Sequence, residues 1–119
     1  MTEKLYRGSN ETPDILYLTK GQTKPNIKYQ CYDSDRELIN FTSAYVEFIW
    51  KRFYSDTDSI YILETDGYCE YDESGNIEYI FDESDTSEEG TFFGQFKVTY
   101  NDGSIEFIPA NNGQCIVIT

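Results

Sequence analysis

The sequence predicts an all-β domain, and composition, turn spacing and periodicity support that prediction. Its 119 residues include 20 aromatic residues, 12 Ile, 11 Thr and 3 Val, which favour pleated, half-buried surfaces. Ala, the best helix former, occurs only at positions 44 and 110. Turn signals recur every eight to twelve residues, and no stretch keeps a helical period over three turns. This pattern is typical of a β-sandwich or small barrel of eight or nine strands.

The predicted strands alternate with short turns along one domain, residues 14–119, behind a polar arm at residues 1–13. They span 14–20, 26–32, 44–52, 60–64, 68–71, 77–81, 91–100, 104–108 and 114–119. Asp66-Gly67 and Asp102-Gly103 are favoured two-residue hairpin pairs, so each predicts a hairpin between its flanking strands. Gly94 falls within a strand, where a bulge or a close backbone approach is expected.

The charge of the chain is strongly negative and unevenly placed. There are 9 Lys and Arg against 22 Asp and Glu, with no His, giving a net charge of −13. Residues 53–96 hold 13 acidic and no basic residues, while the rest of the chain is balanced. This excludes binding to nucleic-acid phosphates, which needs clustered Lys and Arg. The absence of His removes the commonest general base, the Ser-His and Cys-His pairs and the usual zinc sites.

Carboxylates could still act as catalytic groups or as calcium ligands. Most of the closely spaced Asp and Glu residues, however, fall in predicted turns. Asp ends strands by bonding to nearby backbone amides, and a domain of this size has little room for a glycosidase cleft. Structural calcium stays open at the loops around Asp56 and Asp82, and less favourably at Asp33, where Arg36 adds a positive charge. No other cofactor is expected. Cys31, Cys69 and Cys115 form no CxxC pair and are expected to be buried free thiols, with a disulfide or metal role as the alternative.

The tyrosines favour a binding or assembly module over an enzyme. Eleven of them exceed what one small core can hold, and Tyr gives interfaces rigid area with a polar tip. The predicted partner-binding residues are Leu5, Tyr6, Tyr54, Tyr61 and Tyr68. No charged-then-apolar leader follows Met1 and no apolar run has membrane-spanning length, so a protein made in the cytosol is expected.

The second half of the chain carries an ordered series of short motifs. They are Gly75-Asn76-Ile77-Glu78-Tyr79, Asp85-Thr86, Gly90-Thr91-Phe92-Phe93, Phe96 to Gly103 and Phe107-Ile108-Pro109, preceded by Leu18 to Gln22 and Leu38 to Phe48. Over residues 14–119 this order resembles the immunoglobulin-like N-terminal domain of phage baseplate upper proteins and related phage tail modules.

The resemblance implies an immunoglobulin-like antiparallel β-sandwich of about seven to nine strands. Its implied core and turn residues are Phe48, Trp50, Asp85, Gly90, Phe92, Phe96 and Gly103. Two departures stand out, since Phe92 has no hydroxyl for a tyrosine corner and Ser43 stands where the family has Gly. Family members continue into a stalk or receptor-binding part, whereas this sequence ends after its last strand.

The expected function is therefore that of a non-enzymatic phage virion protein. It would dock, in several symmetric copies, onto a larger tail, baseplate, neck or head-fibre protein, without nucleic acid or membrane as a partner. The alternative is an acidic DNA-mimic inhibitor of a host protein that acts through Asp82, Asp85, Glu88 and Glu89. A third class is a calcium-dependent carbohydrate-binding module. For the virion protein, the neutral part of the domain is expected to face the scaffold.

Overall fold

Nine strands and one short 3-10 helix make up the described part of the chain. The computed structural model describes residues 12–54, 59–109 and 113–119. The strands are β1 Ile15–Leu18, β2 Ile27–Gln30, β3 Tyr45–Tyr54, β4 Ser59–Leu63, β5 Tyr68–Tyr71, β6 Asn76–Ile80, β7 Gly90–Thr99, β8 Ile105–Ile108 and β9 Gln114–Ile118. The 3-10 helix, Glu83–Thr86, lies between β6 and β7.

The strands form two sheets that pack face to face. The larger sheet has the order β1-β9-β7-β3-β4, with β8 also paired to β7, and the smaller sheet has the order β2-β6-β5. The predicted all-β sandwich is thus confirmed. One pairing departs from the predicted antiparallel arrangement, because β1 runs parallel to β9.

Aromatic rings join the two sheets in the core. Alternate residues of β3, namely Val46, Phe48 and Trp50, point inward and are buried. Trp50 stacks on Phe92 of β7 at 4.7 Å between ring centroids. Phe48 stacks on Tyr79 of the smaller sheet at 3.9 Å. These offset and stacked pairs add to the stabilisation that the buried area itself gives.

Asp66-Gly67 does not form the predicted hairpin. β4 pairs with β3 in the larger sheet and β5 pairs with β6 in the smaller one, so the connection crosses between sheets. The backbone N–H groups of Asp66 and Gly67 instead donate to the carboxylate of Asp85, at 2.9 and 3.2 Å. Hydrogen bonds to Asp85, which is distant in sequence, therefore hold Asp66 and Gly67 in a connection between the sheets instead of a hairpin turn. The hairpin predicted at Asp102-Gly103 is confirmed and joins β7 to β8.

Gly94 allows the close backbone approach that its mid-strand position predicts. It lies opposite Trp50 in the β3–β7 register. A Cβ atom at this position would lie 2.3 Å from Cζ of Phe48, which is far inside van der Waals contact. The absence of a side chain at Gly94 therefore makes room for the ring of Phe48.

β8 and β9 pair with the same edge of β7, β9 with its first half and β8 with its second half. Ile108 pairs with Phe96 and Gln114 pairs with Gly94, so Gln95 is the residue of β7 that separates the two pairings. The buried amide of Gln95 donates to the carbonyl of Pro109 at 2.8 Å. This hydrogen bond joins Gln95 to the residue that directly follows β8.

The chain passes from the smaller to the larger sheet just before β1. Thr12 is buried, and its hydroxyl accepts from the N–H of Lys28 in β2 at 2.9 Å. The side chain of Gln114 then donates to the carbonyl of Pro13 at 2.6 Å and accepts from the hydroxyl of Tyr29. Thr12 and Pro13, which end the predicted arm, thus contact the domain. Leu5 and Tyr6 lie outside the described residues.

Candidate functional site

One surface of the domain concentrates exposed apolar side chains, and we call it the outer face. It is the solvent side of the larger sheet, and the strand registers define its rows. Its residues are Ile15 and Tyr17 of β1, Tyr45, Glu47, Ile49 and Lys51 of β3, Ile62 of β4, Thr91, Phe93, Gln95, Lys97 and Thr99 of β7, Ile105 and Phe107 of β8, and Cys115 and Val117 of β9. In one row, Ile15, Cys115, Phe93, Lys51 and Ile62 stand side by side across five strands.

Most of the exposed large apolar side chains among the described residues lie on the outer face. Nine large apolar side chains of the described residues are exposed, and six of them lie on the outer face. They are Ile15, Tyr17, Tyr45, Ile62, Ile105 and Phe107. Ile62 is 74% exposed and Tyr17 is 68% exposed. Exposed apolar side chains that are gathered on one surface mark an interaction site more often than scattered single residues do.

The outer face is also nearly uncharged in a chain of charge −13. Its charged residues are Glu47, Lys51 and Lys97, and Glu47 stands directly opposite Lys97 in the β3–β7 register. The ammonium of Lys51 donates to the side chain of Gln95 at 3.0 Å. The acidic excess therefore lies elsewhere, as expected for a neutral surface that packs against a partner.

The predicted partner-binding tyrosines do not converge on this surface. Tyr61 pairs with Arg52 and is 53% exposed, on the side of β4 opposite to Ile62. Tyr68 is 58% exposed but belongs to the smaller sheet. Tyr54 ends β3, and its side chain, like Leu5 and Tyr6, is outside the described part. Sequence reasoning missed Ile62 and Tyr17, although alternation with the buried Leu16 and Leu18 marks Tyr17 as an outward residue.

The acidic connection between β6 and β7 is held in place by hydrogen bonds to the carboxylate of Asp85. Asp85 is 8% exposed, and its carboxylate accepts from the hydroxyl of Tyr79 at 2.6 Å and from the N–H of Asp82 at 3.0 Å. With the two N–H groups of the β4–β5 crossing, it has four donors. Burial and this neighbouring carboxylate raise the pKa of Tyr79 well above its usual range. Asp85 therefore holds three chain segments together through its carboxylate.

The remaining residues that the resemblance points to lie in the core or at turns. Phe48, Trp50, Phe92 and Phe96 are buried between the sheets. Gly90 begins β7 beside the guanidinium of Arg52, and Gly103 turns the β7–β8 hairpin with φ of 88°. The guanidinium of Arg52 lies over the ring of Phe92 at 5.4 Å and donates to Glu88.

The candidate calcium ligands are used as turn caps. Asp33 accepts from the N–H groups of Asp35 and Glu37 at 2.9 and 3.0 Å. Asp82 caps the 3-10 helix by accepting from Ser84, and these hydrogen bonds hold the pKa of Asp82 below its usual value. Asp56 and Asp58 are outside the described residues. Within the described ranges, no three His, Cys, Asp or Glu side chains cluster as metal ligands.

The three cysteines are free thiols. Cys31 is buried, and Cys69 and Cys115 are half-buried. Burial raises the pKa of Cys69 to about 12, assisted by the charge of Glu47, and burial also raises the pKa of Cys115. Since the thiolate is the reactive form, these thiols are poor nucleophiles.

The smaller sheet carries a contrasting acidic surface. Glu70 of β5 stands directly opposite Glu78 of β6, and Asp72 follows β5 at the same edge. Like charges in directly opposed positions destabilise a strand pair. The amide of Asn26 donates to Glu78 at 2.7 Å, and hydrogen bonds from Asn76 and Ser74 hold the pKa of Asp72 below its usual value.

Comparison with known proteins gives no family assignment. No known protein family matches the chain, and no curated protein matches it. Among solved structures, murine CRIg is similar at a TM-score of 0.39 and 12% sequence identity, over 92% of this chain and 94% of that chain. The β-sandwich described above is established by its own strand pairing and register. In the described ranges, no helix is long and apolar enough to cross a membrane.

Proposed function

We propose that the chain is a non-enzymatic assembly module that docks through its outer face onto a larger protein. The observation that carries this proposal is the concentration of six exposed apolar side chains on one nearly neutral sheet surface. The six strands of the larger sheet contain 38 residues. At about 3.3 Å per residue and about 4.8 Å between strands, they give this surface an area on the order of 600 Å². One side of a standard protein–protein interface has a similar area, about 800 Å².

The setting we propose is a phage particle, with the chain as a structural protein of its tail, baseplate, neck or head fibre. The motif series of residues 14–119 supports this setting through its resemblance to phage tail modules. In addition, the acidic carboxylates that would matter for catalysis are engaged with backbone N–H groups, as at Asp85 and Asp33. The neutral outer face would meet the scaffold, and the acidic connections would face solvent or a basic neighbour.

The test compares apolar-to-charged substitutions on and off the outer face. Ile62→Lys and Phe107→Lys place a charge in the docking surface, whereas Tyr68→Lys is the matched control on the smaller sheet, since Tyr68 is similarly exposed. Quantitative mass spectrometry of purified phage particles measures the number of copies incorporated. We expect the outer-face variants to be strongly depleted and the control to match the unchanged protein. Absence of the chain from particles, or equal incorporation of all variants, would overturn the proposal.

A second candidate is an acidic inhibitor of a basic host protein, and one observation favours it. Glu70 stands directly opposite Glu78 on the smaller sheet, and such closely spaced carboxylates resemble the repeated charges of a phosphate backbone. The predicted set Asp82, Asp85, Glu88 and Glu89 is less suitable, because Asp85 is buried. This candidate predicts salt-sensitive capture of a basic protein that Glu70→Gln/Glu78→Gln abolishes. Unchanged capture by this variant would dispose of it.

A further inference from the structure

The sheet edges of the domain are protected unequally. In the smaller sheet, β5 carries Glu70, and the edge of β2 is occupied by Thr12, which exchanges hydrogen bonds with the backbone of Lys28. In the larger sheet, the end strands β1 and β4 have no charged residue and no proline, with the sequences ILYL and SIYIL. Natural proteins usually block edge strands with such residues because an open edge pairs with another chain.

The hydrogen-bonding pattern of β1 shows which backbone groups point away from the sheet. The carbonyl of Leu18 accepts from Thr119, and the N–H of Lys20 donates to Thr119, so these two residues point towards β9. Because the direction alternates along a strand, Ile15, Tyr17 and Thr19 point outward. Thr19 bonds to Gln22 through both its N–H and its carbonyl. Ile15 and Tyr17 therefore form the pairing edge.

The sequence around β1 is complementary to itself when it is reversed about Tyr17. Leu16 and Leu18 flank Tyr17 symmetrically, and Asp14 and Lys20 lie three residues away on either side with opposite charges. Lys20 makes an ion pair with Glu89 at 3.3 Å, but both side chains are more than half exposed. Such a surface ion pair is worth little and leaves the ammonium available to a second carboxylate.

We propose that two copies of the chain pair antiparallel through β1, about a two-fold axis that passes beside Tyr17 and normal to the larger sheet. The backbone groups of Tyr17 would exchange two hydrogen bonds with Tyr17 of the second copy. Leu16 would stand opposite Leu18 of the second copy, and Asp14 opposite its Lys20. Opposed strand charges of unlike sign stabilise a pairing.

The other unblocked edge does not support the same construction. Residues 53–96 contain no Lys or Arg, so pairing of β4 with β4 of a second copy cannot bring opposite charges together. Charge complementarity therefore selects β1 over β4. The rotation keeps both outer faces on the same side, because the axis is normal to the sheet. The pair would present two outer faces side by side, and the pairing itself does not depend on the proposed docking function.

Sedimentation equilibrium of the full chain, from about 10 μM to about 1 mM, tests the pairing, since a single strand pair is a weak interface. We expect a reversible monomer–dimer equilibrium. Lys20→Asp and Asp14→Lys each create two like-charge contacts per dimer and should raise the dissociation constant about tenfold. The exchanged variant Asp14→Lys/Lys20→Asp should restore the original affinity, because each contact again joins opposite charges.

Two controls separate the pairing from other effects. Glu89→Gln removes the ion pair within one copy and should leave the dissociation constant unchanged. Ile62→Lys alters the outer face and should also leave it unchanged. Circular dichroism verifies the fold of each variant. A monomer at every concentration, a dimer insensitive to either single reversal, failure of the exchanged variant to recover, or loss of the dimer in Ile62→Lys would each overturn the proposal.

Discussion

The hydroxyl of Tyr79 lies 2.6 Å from Oδ2 of Asp85 and is the side-chain member of a four-donor set around that carboxylate. The same hydroxyl accepts from the N–H of Gly67 at 2.9 Å. This contact links a strand of the smaller sheet, the crossing from β4 to β5 and the 3-10 helix that leads into β7. The crossing therefore shares one buried polar centre with the end of β6 and the 3-10 helix that follows it.

Removal of this centre should cost stability in proportion to the donors left without an acceptor. Asp85→Ala removes the shared acceptor of the Tyr79 hydroxyl and of the part-buried N–H groups of the crossing, and we expect the free energy of unfolding to fall by about 3 kcal/mol. Tyr79→Phe removes one donor and should cost about 1–2 kcal/mol. Urea unfolding followed by Trp50 fluorescence measures both. Tyr68→Phe, on an exposed side chain, is the control and should change the value by less than about 0.5 kcal/mol.

Gly94 and Gly103 should respond to alanine for different physical reasons. Gly94→Ala sets a methyl group against the ring of Phe48, 2.3 Å from its Cζ, and should cost about 3 kcal/mol as the core shifts. Gly103→Ala meets no atom within 4 Å but keeps φ at 88°, so only backbone strain of about 1 kcal/mol is expected. Thermal and urea unfolding check both. An equal loss at the two sites would contradict the packing argument.

The half-buried Cys69 should resist alkylation in the folded protein. With its pKa raised to about 12, its thiolate fraction at pH 8 is on the order of 10⁻⁴, against about a tenth for a thiol of ordinary pKa 9. Mass spectrometry of iodoacetamide-treated protein should show slow modification of Cys69 in buffer and rapid modification in urea. Equal rates in the two conditions would show that burial does not protect this thiol.

The buried Tyr79 and the half-buried Tyr100 make stability depend on alkaline pH. Burial raises the pKa of Tyr100 to about 12, and the pKa of Tyr79 is also raised. The folded state then holds protons that the unfolded state releases above pH 10, so the free energy of unfolding should fall as pH rises from 10 towards 12. Tyr100→Phe should make this fall less steep. Urea unfolding at pH 8, 10 and 11 measures it, and a variant with an unchanged slope would contradict the assignment.

The strands were largely predictable because alternation records burial directly. Val46, Phe48 and Trp50 face the core, and their spacing predicts β3 without knowledge of its neighbours. The order of the strands was not predictable in this way. Asp66-Gly67 has the composition of a hairpin turn, but the deciding acceptor, Asp85, lies 18 residues further along the chain.

The outer face could not be predicted from the sequence either, because it depends on the order of the strands in the sheet. Single outward residues such as Ile62 and Ile15 are unremarkable within their own strands. They come onto one row of the outer face only because β4, β3, β7, β9 and β1 stand side by side in that order. The tyrosine count correctly indicated surplus apolar surface, but it could not place that surface on one side of the sandwich.

The parallel pairing of β1 with β9 also determines how the domain would carry mechanical load. The register joins Ile15 to Cys115 at one end and Leu18 to Ile118 at the other. A pull backward on the start of β1 and forward on the end of β9 would act along the strands. The ladder bonds would then be strained together in shear instead of opening one after another. Force transmitted in this direction would meet the larger sheet in its most resistant orientation.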